Sequence, residues 1–174
     1  MTNESIQVVS ISKETESAVA SLLRRNLETF NERETVLVST FRRLARLHEI
    51  YTKEACKFLI ATDASRNGRP VACCGLGPFH NLPLSEGLGE IRDLVVDKEY
   101  RGQGLGKLLL DMVIKTAKAF GYQRLYLETT QTMTIAQRLF EQRGFRPVTD
   151  HTPFVSQEPS EGNEVPCYYL LEKL

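Results

Sequence analysis

Short apolar runs with β-branched residues alternate along this chain with stretches of helical periodicity, and the switches between them outline its elements. Ile6-Gln7-Val8-Val9-Ser10-Ile11 reads as a first strand. Ser12 follows in a capping position, ahead of a helical stripe of Val19, Leu22, Leu23, Leu27 and Phe30. A second stripe of Leu37, Phe41, Leu44, His48 and Tyr51 predicts another helix. His48 on that stripe reads as a packed or rim histidine, since no second ligand type accompanies it at metal-binding spacing. Phe58 to Ala61 and Val71 to Leu76 are predicted strands joined by a turn that contains Asn67-Gly68, and Gly77-Pro78 ends the second. The stretch from Phe79 to Gly87 is expected to be a loop, and a central strand is expected from about Gly89 to Val96.

Beyond that strand, Leu105, Leu108, Leu109, Met112, Val113, Ala117 and Phe120 share one helical face, with Gly121 placed to end the helix. Leu125 to Thr129 forms the next predicted strand. A short helix carries Ala136, Leu139, Phe140 and Arg143 to Gly144, and Phe145 to Val148 is a candidate strand. Residues 149–166, polar and proline-bearing, read as a long surface loop, and Cys167 to Leu171 closes the sheet.

The junction between the central strand and the long helix carries the chemistry. It reads Asp97-Lys98-Glu99-Tyr100-Arg101-Gly102-Gln103-Gly104-Leu105-Gly106-Lys107. Amide groups at a helix start lack internal acceptors, and with the positive end of the helix dipole they favour an anion. Glycines let the backbone come close to it, so this turn has the makings of a phosphate cradle. Spacing excludes two common cradles. A dinucleotide fingerprint would need glycine where Lys107 or Leu109 stands, and a nucleotide P-loop would need glycine at Arg101 and Ser or Thr at Leu108.

Composition narrows the setting without adding chemistry. The 174 residues are read as one domain, 1–174, long enough for a core of its own. Lys plus Arg equals Asp plus Glu at 22 each, which offers no charge argument for nucleic acid or an anionic membrane as a partner. No apolar run is long enough to span a bilayer and the N-terminus has no leader-like pattern, so a cytoplasmic protein is expected. Cys56, Cys73, Cys74 and Cys167 form neither a C-x-x-C pair nor a zinc pattern, and adjacent Cys73 and Cys74 are expected on opposite faces of a strand as reduced core residues. No metal is expected.

The run R-x-x-G-x-G, written here as Arg101 to Gly106, resembles the signature loop of the GNAT family of acyl-CoA-dependent N-acyltransferases. Tyr100 just before it, and A-x-x-L-F-x-x-x-G-F over Ala136 to Phe145, look like further signatures of that family. The likeness is strongest from Glu90 to Pro147 and topological elsewhere. Two positions depart from the usual pattern: Met133 stands where Asn is common, and Phe140 where Tyr is common. The resemblance implies an α/β fold of three layers, with a mixed, mostly antiparallel sheet and helices on both faces. It implies transfer of an acetyl group from acetyl-CoA, as co-substrate, to a primary amine of a small molecule or a protein by direct attack in a ternary complex. A homodimer is compatible with it. The departures at Met133 and Phe140 keep open a different class of function, a CoA-binding regulatory or sensor module of little or no turnover.

The resemblance assigns CoA contacts to the backbone of Leu94, Val95 and Val96, to Arg101, Gly102, Gln103, Gly104, Leu105, Gly106 and Lys107, and to Met133, Phe140 and Arg143. Acyl transfer to an amine also needs a proton acceptor and stabilisation of the oxyanion. The resemblance makes Glu90 the first candidate base, because it lies eleven residues before Arg101, the spacing of the general-base glutamate in histone-type members, with Leu88 and Ile91 as apolar neighbours. Its alternative role is an ion pair with Arg92 or Lys98, and the family also offers an ordered water as relay in place of a carboxylate. Asp93 is the second candidate, placed by strand alternation on the opposite face. Phe140 cannot donate a proton, so Tyr168 or Tyr169 is considered as acid to the leaving thiolate, and the start of the short helix as an electrostatic stabiliser.

Overall fold

The computed structural model describes residues 5–27, 43–148 and 165–174. Strands β1 (Ile6–Ser10), β2 (Lys57–Asp63), β3 (Arg69–Pro78), β4 (Leu88–Val96), β5 (Arg124–Thr130), β6 (Arg146–Pro147) and β7 (Pro166–Leu171) make one sheet in the order β1-β2-β3-β4-β5-β7-β6. All neighbours run antiparallel except β4 and β5, which pair in parallel. That crossover is made by α3 (Leu105–Phe120), as a parallel connection requires. Helices α1 (Lys13–Leu27), α2 (Leu47–Tyr51) and α4 (Thr134–Glu141) flank the sheet, with short 3₁₀ turns in the connections.

The expected order of elements is present, with local differences. Ser12 does cap α1: its hydroxyl accepts from Thr15 N at 3.3 Å while its own N–H donates to Thr15 Oγ1 at 2.9 Å. Only Leu44, His48 and Tyr51 of the second predicted stripe fall among the described residues, and α2 itself is a short helix; Leu37, Phe41 and Phe30 lie outside them. The expected loop of residues 149–164 also lies outside them. Asn67 and Gly68 both take left-handed backbone, as the turn signal required, but they close a longer connection that begins with a 3₁₀ turn at Ala64–Arg66.

Each sheet face has its own core. On one side α3 lays Leu105, Leu109, Leu110, Val113 and Ala117 over Cys74, Leu76, Ile91, Leu125 and Leu127. Each fully buried leucine there is worth about 1.5–3 kcal/mol of transfer free energy. On the other side Val19, Leu22 and Leu23 of α1, with Leu47 and Tyr51 of α2, cover Phe58, Ile60 and Cys73. Cys73 and Cys74 thus do point into opposite cores, both fully buried and reduced. A third apolar group, Phe79, Leu88, Tyr126 and Leu170, lies farther along that second side. Between the two groups the sheet carries polar side chains.

Candidate active site

Two local features shape the site: a fork between β4 and β5, and the turn from β4 into α3. The parallel ladder runs from Leu88↔Arg124 to Ile91↔Leu127 and stops. From Arg92 to Val96, β4 keeps its partner β3 but has no strand on the β5 side among the described residues. Backbone groups of Leu94 and Val95 on that edge are therefore open to an extended ligand that pairs as a strand would. The Val96 carbonyl is already used, accepting from Arg101 Nε at 3.1 Å.

The turn itself is built to hold its amides free. Gly102 and Gly104 have φ of +76° and +83°, a region costly for other residues, and a Cβ at either would meet nothing within 4 Å. The first internal bond of α3 runs from Leu108 N to Gly104 O at 2.9 Å, so the amides ahead of it lack an intrahelical acceptor. Side chains brace the turn from behind. The Tyr100 hydroxyl donates to Asp63 at 2.7 Å, Arg69 and Arg25 both reach Asp97, and Arg101 Nη2 donates to Asn26 at 3.0 Å. Hydrogen bonds from Ser65 and then Tyr100 hold the Asp63 carboxyl well below the usual carboxylate range. An open, glycine-lined concavity at a helix start is a fit for phosphate groups, and Lys107 and Arg101, both exposed, supply positive charge.

On the α1–α2 side of the sheet the polar residues of β4 are brought together by a β-bulge. Cys73 faces Val95 and Gly75 faces Arg92, so Asp93 and Leu94 together oppose Cys74. Asp93 takes φ +55°, and its side chain turns to the same face as Glu90 and Arg92, which corrects the expectation from simple alternation. There it pairs with both guanidinium nitrogens of Arg43, one at 2.7 Å, and accepts a long bond from Tyr51 at 3.4 Å. Tyr51 in turn lies over Gly75, where a Cβ would come within 2.6 Å of its hydroxyl oxygen; the glycine permits the approach. Glu90 Oε2 accepts from Arg92 Nη2 at 2.5 Å, and the same nitrogen reaches Pro78 O at 3.1 Å. Glu90 therefore does occupy the ion pair with Arg92 that was set beside its role as base.

The two tyrosines of β7 point in opposite directions. Tyr169 lies on the α3 side, donating to Glu141 at 3.1 Å, and burial followed by that bond pushes its phenol up to about 12. Tyr168 lies on the polar face, opposite Glu128 in register and 6.3 Å from the Tyr126 ring. Phe140 is buried against Phe145 and Tyr169, at ring distances of 6.1 and 6.2 Å. Met133 precedes α4 with its sulfur accepting from Thr129 Oγ1 at 3.4 Å. Arg143 grips Asp111 of α3 through two bonds of 2.8 and 3.2 Å.

Three residues of this face were not singled out from sequence: Arg43, Tyr51 as a polar group, and Glu128. Glu128 carried a signal, being the one charged side chain within the apolar run Leu125 to Thr129. Among the described residues no group of three or more His, Cys, Asp or Glu could hold a metal ion, and no helix is long and apolar enough to cross a membrane.

Residues 20–145 match the Acetyltransferase (GNAT) family, and the chain belongs to that family. The amino-acid acetyltransferase of Salmonella typhi is 32% identical over 103 residues, which is 59% of this chain but 21% of that protein. The chain thus spans about a fifth of the length of the curated relatives it matches. Solved structures agree on the fold. A GNAT-family acetyltransferase from Staphylococcus aureus superimposes with a TM-score of 0.74 at 21% identity, covering 95% of this chain and 97% of that one. A Salmonella typhimurium structure solved with its cofactor acetyl-CoA gives 0.73 at 18% identity, over 96% and 93%. The mixed seven-stranded sheet with helices on both faces is the GNAT fold.

Proposed function

We propose that this protein is an N-acetyltransferase that moves an acetyl group from acetyl-CoA to a primary amine within a ternary complex. The observation that carries the reading is the pairing of an open, glycine-lined helix start with an unpaired β4 edge immediately before it. The first suits a pyrophosphate and the second suits the amide-bearing arm of CoA, so one ligand satisfies both.

In this reading Arg101, Gly102, Gln103, Gly104, Leu105, Gly106 and Lys107 hold the pyrophosphate. The backbone of Leu94, Val95 and Val96 lines the pantetheine arm, with an amide near Val95 as the oxyanion donor. Met133, Phe140 and Arg143 wall the fork from the α4 side, Phe140 and Arg143 through the contacts that fix α4 against Phe145 and α3. The amine enters over the polar face, where Glu90, Asp93 and Tyr168 lie. Tyr168 is the better placed of the two β7 tyrosines to meet a leaving thiolate, because Tyr169 faces Glu141 on the other side. Glu90 and Asp93 each have oxygens engaged by a guanidinium, so both order the acceptor face. Acceptors carrying a carboxylate, such as amino acids, are the first to try, given the relatives at 32% identity.

The test is thiol release from acetyl-CoA across a panel of amino acids, polyamines and lysine-bearing peptides, with a thermal shift alongside. Acetyl-CoA at a hundred times its Kd should stabilise the protein by about 2.7 kcal/mol. No stabilisation would overturn CoA binding; stabilisation without thiol release on any amine would overturn acetyl transfer.

A further inference from the structure

We propose that Glu128, at the mouth of the β4–β5 fork, is the proton acceptor for the incoming amine; this deepens the acetyl-transfer reading and rests on it. Paired residues end at Ile91 and Leu127, so Glu128 is the first β5 residue beyond the point where the strands part. A thioester lying along the open edge of β4 with its reactive end at the fork meets Glu128 directly across the gap. Strand alternation places Glu128 on the same face as Tyr126, which is opposite Glu90 in register, so its carboxylate looks toward the acceptor side.

The state of the carboxylates separates the candidates. Arg92 holds Glu90, and Arg43 holds Asp93 in a paired contact. The Glu128 carboxylate makes no side-chain hydrogen bond or ion pair among the described residues, its backbone being paired with β7. The groups facing it are Glu90 on β4, Tyr126 on its own strand and Tyr168 on β7, and Glu90 is itself bonded to Arg92. Crowding by these neighbours strips water from the carboxylate and, with the charge of Glu90, raises its pKa, although its outer edge stays exposed. An unpaired carboxylate with a raised pKa takes a proton near neutrality more readily than one held by arginine. Its exposed edge then returns the proton to water.

Glu128 takes one proton from the ammonium, leaving a neutral amine. The nitrogen lone pair forms the N–C bond to the thioester carbonyl. The C–S bond breaks with its electrons on sulfur; the Tyr168 hydroxyl gives its proton to that thiolate and takes the second proton of the attacking nitrogen in its place. Products are the amide, the free thiol and one proton on Glu128.

The experiment compares wild type, Glu128→Gln, Glu128→Asp and Glu90→Gln for thiol release from acetyl-CoA with the amine panel, from pH 6 to about pH 10. Glu128→Gln should lose about 10²-fold or more in kcat at neutral pH, with KM for acetyl-CoA unchanged, and the deficit should shrink as the amine deprotonates unaided. Glu128→Asp should recover part of the rate and restore the pH limb. A carboxyl-carbon NMR titration of the wild type should show Glu128 titrating above the reference value of about 4.3. A Glu128→Gln enzyme as active as wild type, a deficit equal at every pH, or a titration at or below that reference value would each overturn the assignment. A Glu90→Gln loss that alone carries the pH dependence would return the role to Glu90. If wild type shows no amine-dependent thiol release with any member of the panel, acetyl transfer itself falls and this role falls with it, which the wild-type control reveals before any variant is read.

Discussion

The proposed donor end and the proposed acceptor face of this site use charge in opposite ways. Around the glycine turn, Arg25, Arg69, Tyr100 and Ser65 tie up Asp97 and Asp63, fixing the backbone from behind and leaving its amides free in front. On the acceptor face, Arg43 and Arg92 tie up Asp93 and Glu90 in front, where a substrate would approach. The first arrangement makes the main chain the binding group, so identity matters at few side chains other than glycine. The second would make side chains the binding groups, and among the described residues it leaves the Glu128 carboxylate without a bonded partner. A ligand common to a whole family can be held by backbone; an acceptor peculiar to one protein has to be read by side chains.

The sharpest way to break this contrast is at Gly104. A Cβ there meets no protein atom, but φ is +83°, so Gly104→Val strains the turn by about 1–2 kcal/mol and points a branched chain into the concavity. Gly121→Val is the matched control, with φ +92° and equally open surroundings at the far end of α3. Both should lower the melting temperature alike. Only Gly104→Val should raise the Kd for acetyl-CoA, by at least about tenfold, or roughly 1.4 kcal/mol. Calorimetric titration decides it; equal Kd values would show that the turn does not hold the donor.

Asp93 tests whether the two regions are separable. Asp93→Asn keeps a side chain tolerant of left-handed backbone but gives up the ion pair with Arg43, at about 1–3 kcal/mol in urea unfolding. Asp93→Ala should cost roughly 1 kcal/mol more, because alanine lacks that tolerance. Neither should approach Gly104→Val in its effect on acetyl-CoA affinity. If both do, the bulge shapes the donor edge as well, and the division between the regions is false.

What the sequence disclosed follows the same line. The glycine turn was legible because Tyr100 to Lys107 are contiguous and their spacing excludes other phosphate loops. Gly121 and Gly144 were legible as helix ends for a similarly local reason, and both take positive φ. The bulge was not, since an Asp in left-handed backbone leaves no mark in the residue pattern. Nor was the Arg43–Asp93 pair, whose partners are 50 residues apart, or the approach of Tyr51 to Gly75. Each of these depends on register between distant segments. Glu128 lies between the two cases: its charge in an apolar strand could be seen, while its place at the fork could not.

Phe140 probes the border of the two regions at smaller cost. Phe140→Tyr puts a hydroxyl among Phe145, Tyr169 and the core beneath α4, where an unpartnered group costs about 1–3 kcal/mol. The expected result is a lower melting temperature and an unchanged rate of thiol release. An unchanged melting temperature with a faster rate would instead put the ring edge at the thioester.

The smallest effect is expected from Tyr100→Phe, and pH isolates it. Hydrogen bonds from Ser65 and Tyr100 hold the folded Asp63 carboxyl below its unfolded value of about 3.9. A depressed carboxylate stabilises the fold above its unfolded pKa, and that stability drains away as pH falls toward the folded pKa. Removing the Tyr100 hydroxyl deletes one of the bonds and leaves those from Ser65. At neutral pH Tyr100→Phe should therefore unfold at somewhat lower urea than wild type. Below about pH 4 the gap should begin to narrow, because the unfolded carboxyl takes up a proton that the folded one does not, and it should close only as pH falls toward the folded pKa. The acetyl-CoA Kd should move far less than in Gly104→Val, since Tyr100 acts from behind the turn. A gap between the urea midpoints that stayed constant down to acid pH would assign Tyr100 a packing role under Arg66, whose guanidinium lies 5.6 Å from the ring centroid, and would remove the Asp63 bond from the forces that brace the cradle.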